Sequence, residues 1–168
     1  MPLVLARQSS SEVSVGRFRI GALLYFGDAA GRVLLIRRKR PPNLGRWCAV
    51  GGKLEMATGE SPYDCAIREA SEEVGVRIVA ADLSLRCVLS EKHYEGTGHW
   101  LMFVFRVSAP LSRLPARIEE GDFRLFERAE LQGVAMPDLD RQILFERVLA
   151  DGDSLHFLRC DGPGRPLV

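Results

Sequence analysis

Along most of this chain apolar residues either alternate with polar ones or form short unbroken runs, which predicts strands. Residues 17–26 and 32–38 are strand-like and flank the turn Gly27-Asp28-Ala29-Ala30-Gly31, so the domain is expected to open with a β-hairpin. Pro41-Pro42-Asn43-Leu44-Gly45 has to be a loop, and residues 47–50 form a short strand that delivers Gly51-Gly52 into a glycine-rich loop. Residues 76–79 and 83–90 read as strands and 91–98 as a polar loop. The near-continuous apolar run at 99–108 suits a central strand covered on both sides. Irregular chain at 110–115 precedes a Phe-Arg-Leu-Phe strand at 123–126 and residues 127–131, and 155–159 completes the set.

Two stretches follow the other period. Tyr63, Ala66, Ile67, Ala70 and Val74 recur at three- and four-residue spacing, the stripe of a helix lying on a core. Its ends are marked: Ser61 as N-cap, Pro62 at the first helical position, Asp64 placed for a capping box, and Gly75 as the left-handed stop. A second amphipathic helix over 138–150 buries Leu139, Ile143, Leu144, Val148 and Leu149. Strands interleaved with two helices give an α/β, or α+β, layered architecture.

The first helix carries Glu69, Glu72 and Glu73, related as i, i+3 and i+4. Like charges at that spacing cost roughly 0.2–0.5 kcal/mol per pair, and anions in the last turns oppose the helix dipole. Arg68, four residues before Glu72, also faces Glu60 across the helix start and cannot neutralise three acids. A hard divalent cation held by oxygen atoms answers the imbalance; a solvated acidic face is the alternative. The basic run Arg37-Arg38-Lys39-Arg40 is either a solvated strand end or a partner for a polyphosphate. Trp47 either stacks on a nucleobase or belongs to the core.

Composition narrows the classes. The 168 residues are one domain's worth, and 46% hydrophobic content suits a globular protein with a real core. A net charge of +1 advertises neither a nucleic-acid nor a membrane surface, and no apolar run would span a bilayer. Residues 1–14 read as a disordered or extended tail, not a secretion signal, and 161–168 as a C-terminal tail. Cys48, Cys65, Cys87 and Cys160 form no C-x-x-C pair, which suits reduced thiols in a cytoplasm, and His93, His99 and His156 have no metal-ligand spacing.

Arg68-Glu69-Ala70-Ser71-Glu72-Glu73-Val74-Gly75-Val76, with Glu60 seven residues before Arg68, resembles the core of the Nudix box, the signature of Nudix (MutT-type) hydrolases. The lead-in Arg37–Trp47 ahead of Gly51-Gly52-Lys53 is similar as well. One departure stands out: the family has five residues between the second glycine and the first Glu, whereas seven separate Gly52 from Glu60, and the two extra ones around 56–58 are expected to loop out to solvent. The resemblance implies a mixed sheet packed between helices over 15–160, and Mg²⁺- or Mn²⁺-dependent hydrolysis of a nucleoside diphosphate linked to another moiety. Carried over residue by residue, it implies that Glu69, Glu72, Glu73 and the Gly51 carbonyl hold metal, with Glu120, in preference to Glu119, as an additional carboxylate. Arg68 joins Glu60 in tying loop to helix, the general base is a box glutamate or the downstream acid, and Lys53, Arg38 and Trp47 are the candidate substrate contacts. The implied substrate is a small nucleotide, foremost a nucleoside triphosphate, oxidised or not; ADP-ribose or a nucleotide sugar is the alternative, and a non-catalytic sensing domain a further one. The resemblance leaves a homodimer open.

Overall fold

The computed structural model describes residues 18–96, 98–150, 152–161 and 166–167, so the expected N-terminal tail lies outside the described residues. In chain order the elements are β1 (Phe18–Tyr25), β2 (Val33–Arg38), β3 (Trp47–Cys48), β4 (Val50–Lys53), α1 (Pro62–Glu69), β5 (Leu83–Glu91), β6 (His99–Val107), β7 (Gly121–Phe126), α2 (Asp138–Ile143), β8 (His156–Cys160) and β9 (Pro166–Leu167). They form a six-stranded sheet in the order β4-β1-β6-β5-β8-β9 and a three-stranded sheet, β3-β2-β7. The larger sheet is mixed, with β1 parallel to β6 and β5 parallel to β8.

Strict side-chain alternation builds a core on each face. On β2, Leu34 and Ile36 join Ala22, Leu24 and Phe105 beneath α1, while Val33 and Leu35 join Tyr25, Val104 and Leu89 beneath α2. Both helices lie on these cores, α1 through Cys65 and Ala66, α2 through Leu139 and Ile143. Each helix ends in a widened π-helical turn, Ala70–Val74 after α1 and Leu144–Val148 after α2. The architecture is therefore the expected α+β arrangement, a mixed sheet between helices.

Five local expectations are corrected. The opening hairpin does not form: Gly27 and Val33 make a single bridge, after which β1 and β2 diverge into different sheets. Both strands are apolar enough to be covered on both sides, so each takes longer-range partners, β1 pairing with β6 over eight positions and β2 with β7 over six. Residues 47–50 are split at Ala49, with β3 in one sheet and β4 in the other. Gly51 and Gly52 are strand residues of β4, not a loop. Residues 76–79 are no strand: the Val76 N–H still bonds Ala70 O at 3.2 Å, the Val79 N–H bonds Asp82 Oδ2 at 2.9 Å, and Val79 is 61% exposed. Residues 166–167, assigned to a tail by the sequence, add β9 to the sheet edge.

All four cysteines are buried. Among the described residues no helix is long and apolar enough to cross a membrane.

Candidate active site

Helix α1 is aimed at β4 by its start. Ser61 Oγ accepts from the Asp64 N–H at 3.2 Å, Asp64 Oδ2 accepts from the Ser61 N–H at 3.3 Å, and Pro62 needs no partner for a missing N–H. The π-helical turn then widens the backbone where Glu72 and Glu73 sit, before Gly75 closes it at φ 73°. Such turns re-aim side chains that a regular helix would place elsewhere. Glu73 Oε2 reaches the Gly51 N–H at 3.2 Å.

Arg68 is the hub. Its Nε and Nη2 grip Glu60 at 2.8 and 3.0 Å, Nη2 also donates to Lys53 O at 3.0 Å, and Nη1 bridges Glu69 at 2.8 Å and Glu72 at 3.0 Å. One planar fork thus joins loop, strand and helix. The hydrogen bonds from Arg68 hold the Glu60 carboxyl below its ordinary range. Glu69 is only 8% exposed, and burial raises its carboxyl in spite of Arg68. Glu73 is pushed up to about 7, first by burial and then by the charge of Glu69, against the Gly51 N–H. Two acids, Glu69 buried and Glu73 half-buried, are therefore left short of positive charge.

The two glycines allow this approach. A Cβ on Gly52 would lie 2.0 Å from Glu69 Oε1, and one on Gly51, at φ 145°, would lie 2.0 Å from Ala22 O. Gly52→Ala is expected to displace the Glu69 carboxylate and lower kcat/KM about 10²-fold, as small misplacements in active sites do; wild-type turnover in that variant would contradict the packing described. The two extra loop residues sit apart from all this. Met56–Thr58 is an exposed 3-10 turn closed by Gly59 at φ 72°, while Glu60 Oε2 fixes the loop base by accepting from the Glu55 N–H at 2.7 Å. Deleting two residues within 56–58 is expected to leave turnover within about threefold; loss of activity in folded protein would make the insertion part of the site.

A cavity of about 720 Å³ opens over these groups, lined by Arg38, Gly51, Gly52, Lys53, Glu69, Glu72, Glu73 and Glu120. The cavity is thus lined by every metal and substrate candidate the sequence nominated except Trp47. Arg68 and Glu60 stand behind the carboxylates, joined to them through the Arg68 fork, and Trp47 packs edge-on against Phe126, ring centroids 4.9 Å apart, as a core residue. Trp47 is drawn there because its strand belongs to the smaller sheet. Glu119 and Glu120 part company: Glu119 pairs with Arg40 at the surface, whereas Glu120 faces the cavity. Among the described residues no three His, Cys, Asp or Glu side chains converge into a ready-made metal cluster. The donor set still fits a hard divalent cation, being all oxygen and holding buried acids that Arg68 does not fully neutralise.

Sequence reasoning missed the far end of the cavity, where Arg19, Glu91, Tyr94, Trp100 and Asp140 are among the lining residues. The one available signal was Glu91, an acid directly after the alternating run of β5, which the sequence reading assigned to the following loop.

The NUDIX domain profile matches residues 17–146. An uncharacterized Nudix hydrolase of Bacillus subtilis, YvcI, is 30% identical over 115 residues, covering 67% of this chain and 69% of that one. The mutator MutT protein of Bacillus halodurans shares the fold with a TM-score of 0.69 at 23% identity, over 90% of this chain and 95% of that one. The NUDIX domain of Shewanella oneidensis NrtR, solved with ADP ribose, superposes with a TM-score of 0.63 at 16% identity, over 84% of this chain and 92% of that one. With its box residues gathered on one cavity and its match running through both sheets, this chain belongs to the NUDIX family of hydrolases, which act on phosphoric anhydrides.

Proposed function

We propose that the protein is a nucleoside triphosphate pyrophosphohydrolase, acting on ordinary or oxidised nucleotides with Mg²⁺ or Mn²⁺. The observation that carries this reading is the carboxylate set Glu69, Glu72, Glu73 and Glu120 facing one cavity with Arg38 and Lys53. Those carboxylates and the Gly51 carbonyl would hold a divalent cation, which would supply the electrostatic stabilisation that charge developing on a transferred phosphoryl group requires. The chain's own residues do the rest. Arg38, Lys53 and Arg19 line the cavity and bind the polyphosphate. Glu73, oriented by the Gly51 N–H, accepts the proton of the attacking water as it bonds to phosphorus and the bridging oxygen leaves with pyrophosphate. Arg68 holds Glu69 and the loop in place and touches no substrate. The buried thiols of Cys48, Cys65 and Cys87, which form no disulfide among the described residues, support a reducing, cytoplasmic setting.

A second reading, hydrolysis of ADP-ribose or a nucleotide sugar, is supported by the likeness to the NrtR NUDIX domain that was solved with ADP ribose. Release of phosphate and pyrophosphate from nucleoside triphosphates, 8-oxo-dGTP, ADP-ribose, dinucleoside polyphosphates and nucleotide sugars separates the two. Turnover of triphosphates is expected. Turnover of ADP-ribose alone would favour the second reading, and silence in folded protein would turn attention to a ligand-sensing role.

A further inference from the structure

Two loops meet beside the cavity, one from each sheet. Residues 39–45 follow β2 of the smaller sheet, and residues 92–96 follow β5 of the larger one. Each is closed on itself: the Gly45 N–H donates to Arg38 O at 2.7 Å and the Arg46 N–H to Asn43 O at 2.9 Å, while the Tyr94 N–H donates to Gly98 O at 3.0 Å. A two-point clasp joins them. The Asn43 N–H donates to Glu95 Oε2 at 2.9 Å, and the Tyr94 hydroxyl donates to Asn43 Oδ1. Among the described residues, the non-glycine positions with positive φ are Asn43, His93 and Glu95, at 64°, 54° and 43°, so both loops hold left-handed backbone that side chains disfavour.

The clasp bears on Arg38. The Pro42 carbonyl, next to Asn43, accepts from Arg38 Nε at 3.1 Å. That bond occupies Nε and leaves both Nη groups without a hydrogen-bond partner among the described residues. Arg38 lines the cavity, and Glu73 feels its charge, so the free end of the guanidinium belongs to the catalytic side. Pro42, Asn43 and Tyr94 line the cavity as well, whereas Glu95 is exposed and stands outside the lining. A direct contact of Glu95 with a bound ligand is therefore not what the clasp offers.

We infer that Glu95, with Tyr94 as a second support, is a positioning residue: through Asn43 and the Pro42 carbonyl it presents the Arg38 guanidinium to the phosphate chain of the substrate. This rests on the reading of Arg38 as a phosphate contact given above. The sign of the Glu95 charge separates positioning from plain electrostatics. Glu91 and Tyr94 in the cavity wall feel that charge, and as a bare anion it repels a polyphosphate, so deleting it should tighten binding. As half of a clasp its deletion frees the loop that aims Arg38, and binding weakens.

The test is calorimetric binding of the α,β-methylene analogues of ATP and GTP with Mg²⁺, and of ADP-ribose without metal, to wild type, Glu95→Ala, Glu95→Gln, Tyr94→Phe, Arg38→Ala and the double variant Arg38→Ala/Glu95→Ala. For whichever ligand wild type binds, Glu95→Ala is expected to raise Kd about 3- to 10-fold, and Tyr94→Phe to shift it in the same direction. Glu95→Gln keeps an oxygen for the Asn43 N–H and should lie within about twofold of wild type. In the Arg38→Ala background the Glu95→Ala change should add nothing, because it acts through the side chain already removed. Tighter or unchanged binding in Glu95→Ala, or the same loss in both backgrounds, would overturn the inference. Wild-type affinity in Arg38→Ala would remove Arg38 from the phosphates, and the inference with it. A melting temperature of Glu95→Ala within about 2 °C of wild type is expected, since the bond lost is at the surface.

Discussion

A Glu73→Gln protein is expected to lose about 10²- to 10⁴-fold in metal-dependent turnover, the range typical of removing a general base, while its metal-free form melts higher than wild type at pH 8. The substitution keeps the shape, and the amide oxygen can still accept from the Gly51 N–H. What disappears is a charge that is buried beside Glu69. The sign follows from linkage. The Glu73 carboxyl is raised in the folded protein from 4.5 to about 7, so its contribution to stability is complete below 4.5 and is lost as pH rises through 7. With ~1.4 kcal/mol per unit, and discounting for the open side of the cavity, about 1–2 kcal/mol is at stake. In a chain of this size that is roughly 3–6 °C in melting temperature. Glu91 and Asp140 are shifted in the same direction, so the variant's pH dependence should flatten without vanishing. Unchanged turnover in Glu73→Gln would remove Glu73 from the mechanism.

Arg68→Ala is expected to cost about 2–4 kcal/mol, a melting temperature lower by roughly 5–12 °C, together with at least about 10²-fold in turnover. The loss is large because one side chain serves Glu60, Glu69, Glu72 and the Lys53 carbonyl at once. Removing it leaves Glu60 and Glu69 as uncompensated, largely buried acids and frees the loop from the helix. Arg68→Lys keeps the charge but not the fork, so it should fall between the two in both melting temperature and rate. A lysine variant equal to wild type would show that charge alone holds the site.

What was legible in the chain was legible for local reasons. Ser61, Pro62, Asp64 and Gly75 fix both ends of the helical segment through bonds to near neighbours, and the structure contains each of them. Arg68 meeting Glu60, and the exposed turn at 56–58, were likewise decided within a few residues of chain. Strand partners were not. The alternation in β1 states which residues are buried but not that its neighbours are β6 and β4, so a hairpin was the natural local inference and the wrong one. Glycines read as a loop turned out to be strand because α1 needs to bring Glu69 against them. The π-helical turn has no sequence signal in Ala70–Val74 that a regular helix would lack. The far end of the cavity was invisible for the same reason as the pairing: Glu91 and Asp140 are 49 positions apart, on a strand and a helix, and come to one cavity only through the tertiary fold.

The most direct test of the account is ³¹P NMR of a nucleoside triphosphate incubated with the purified protein and Mg²⁺, repeated after chelation and with Glu73→Gln. The account predicts nucleoside monophosphate and pyrophosphate with wild type and Mg²⁺, and next to nothing in the other two samples. Orthophosphate and nucleoside diphosphate as the products, or equal turnover with the chelator or by the variant, would contradict it.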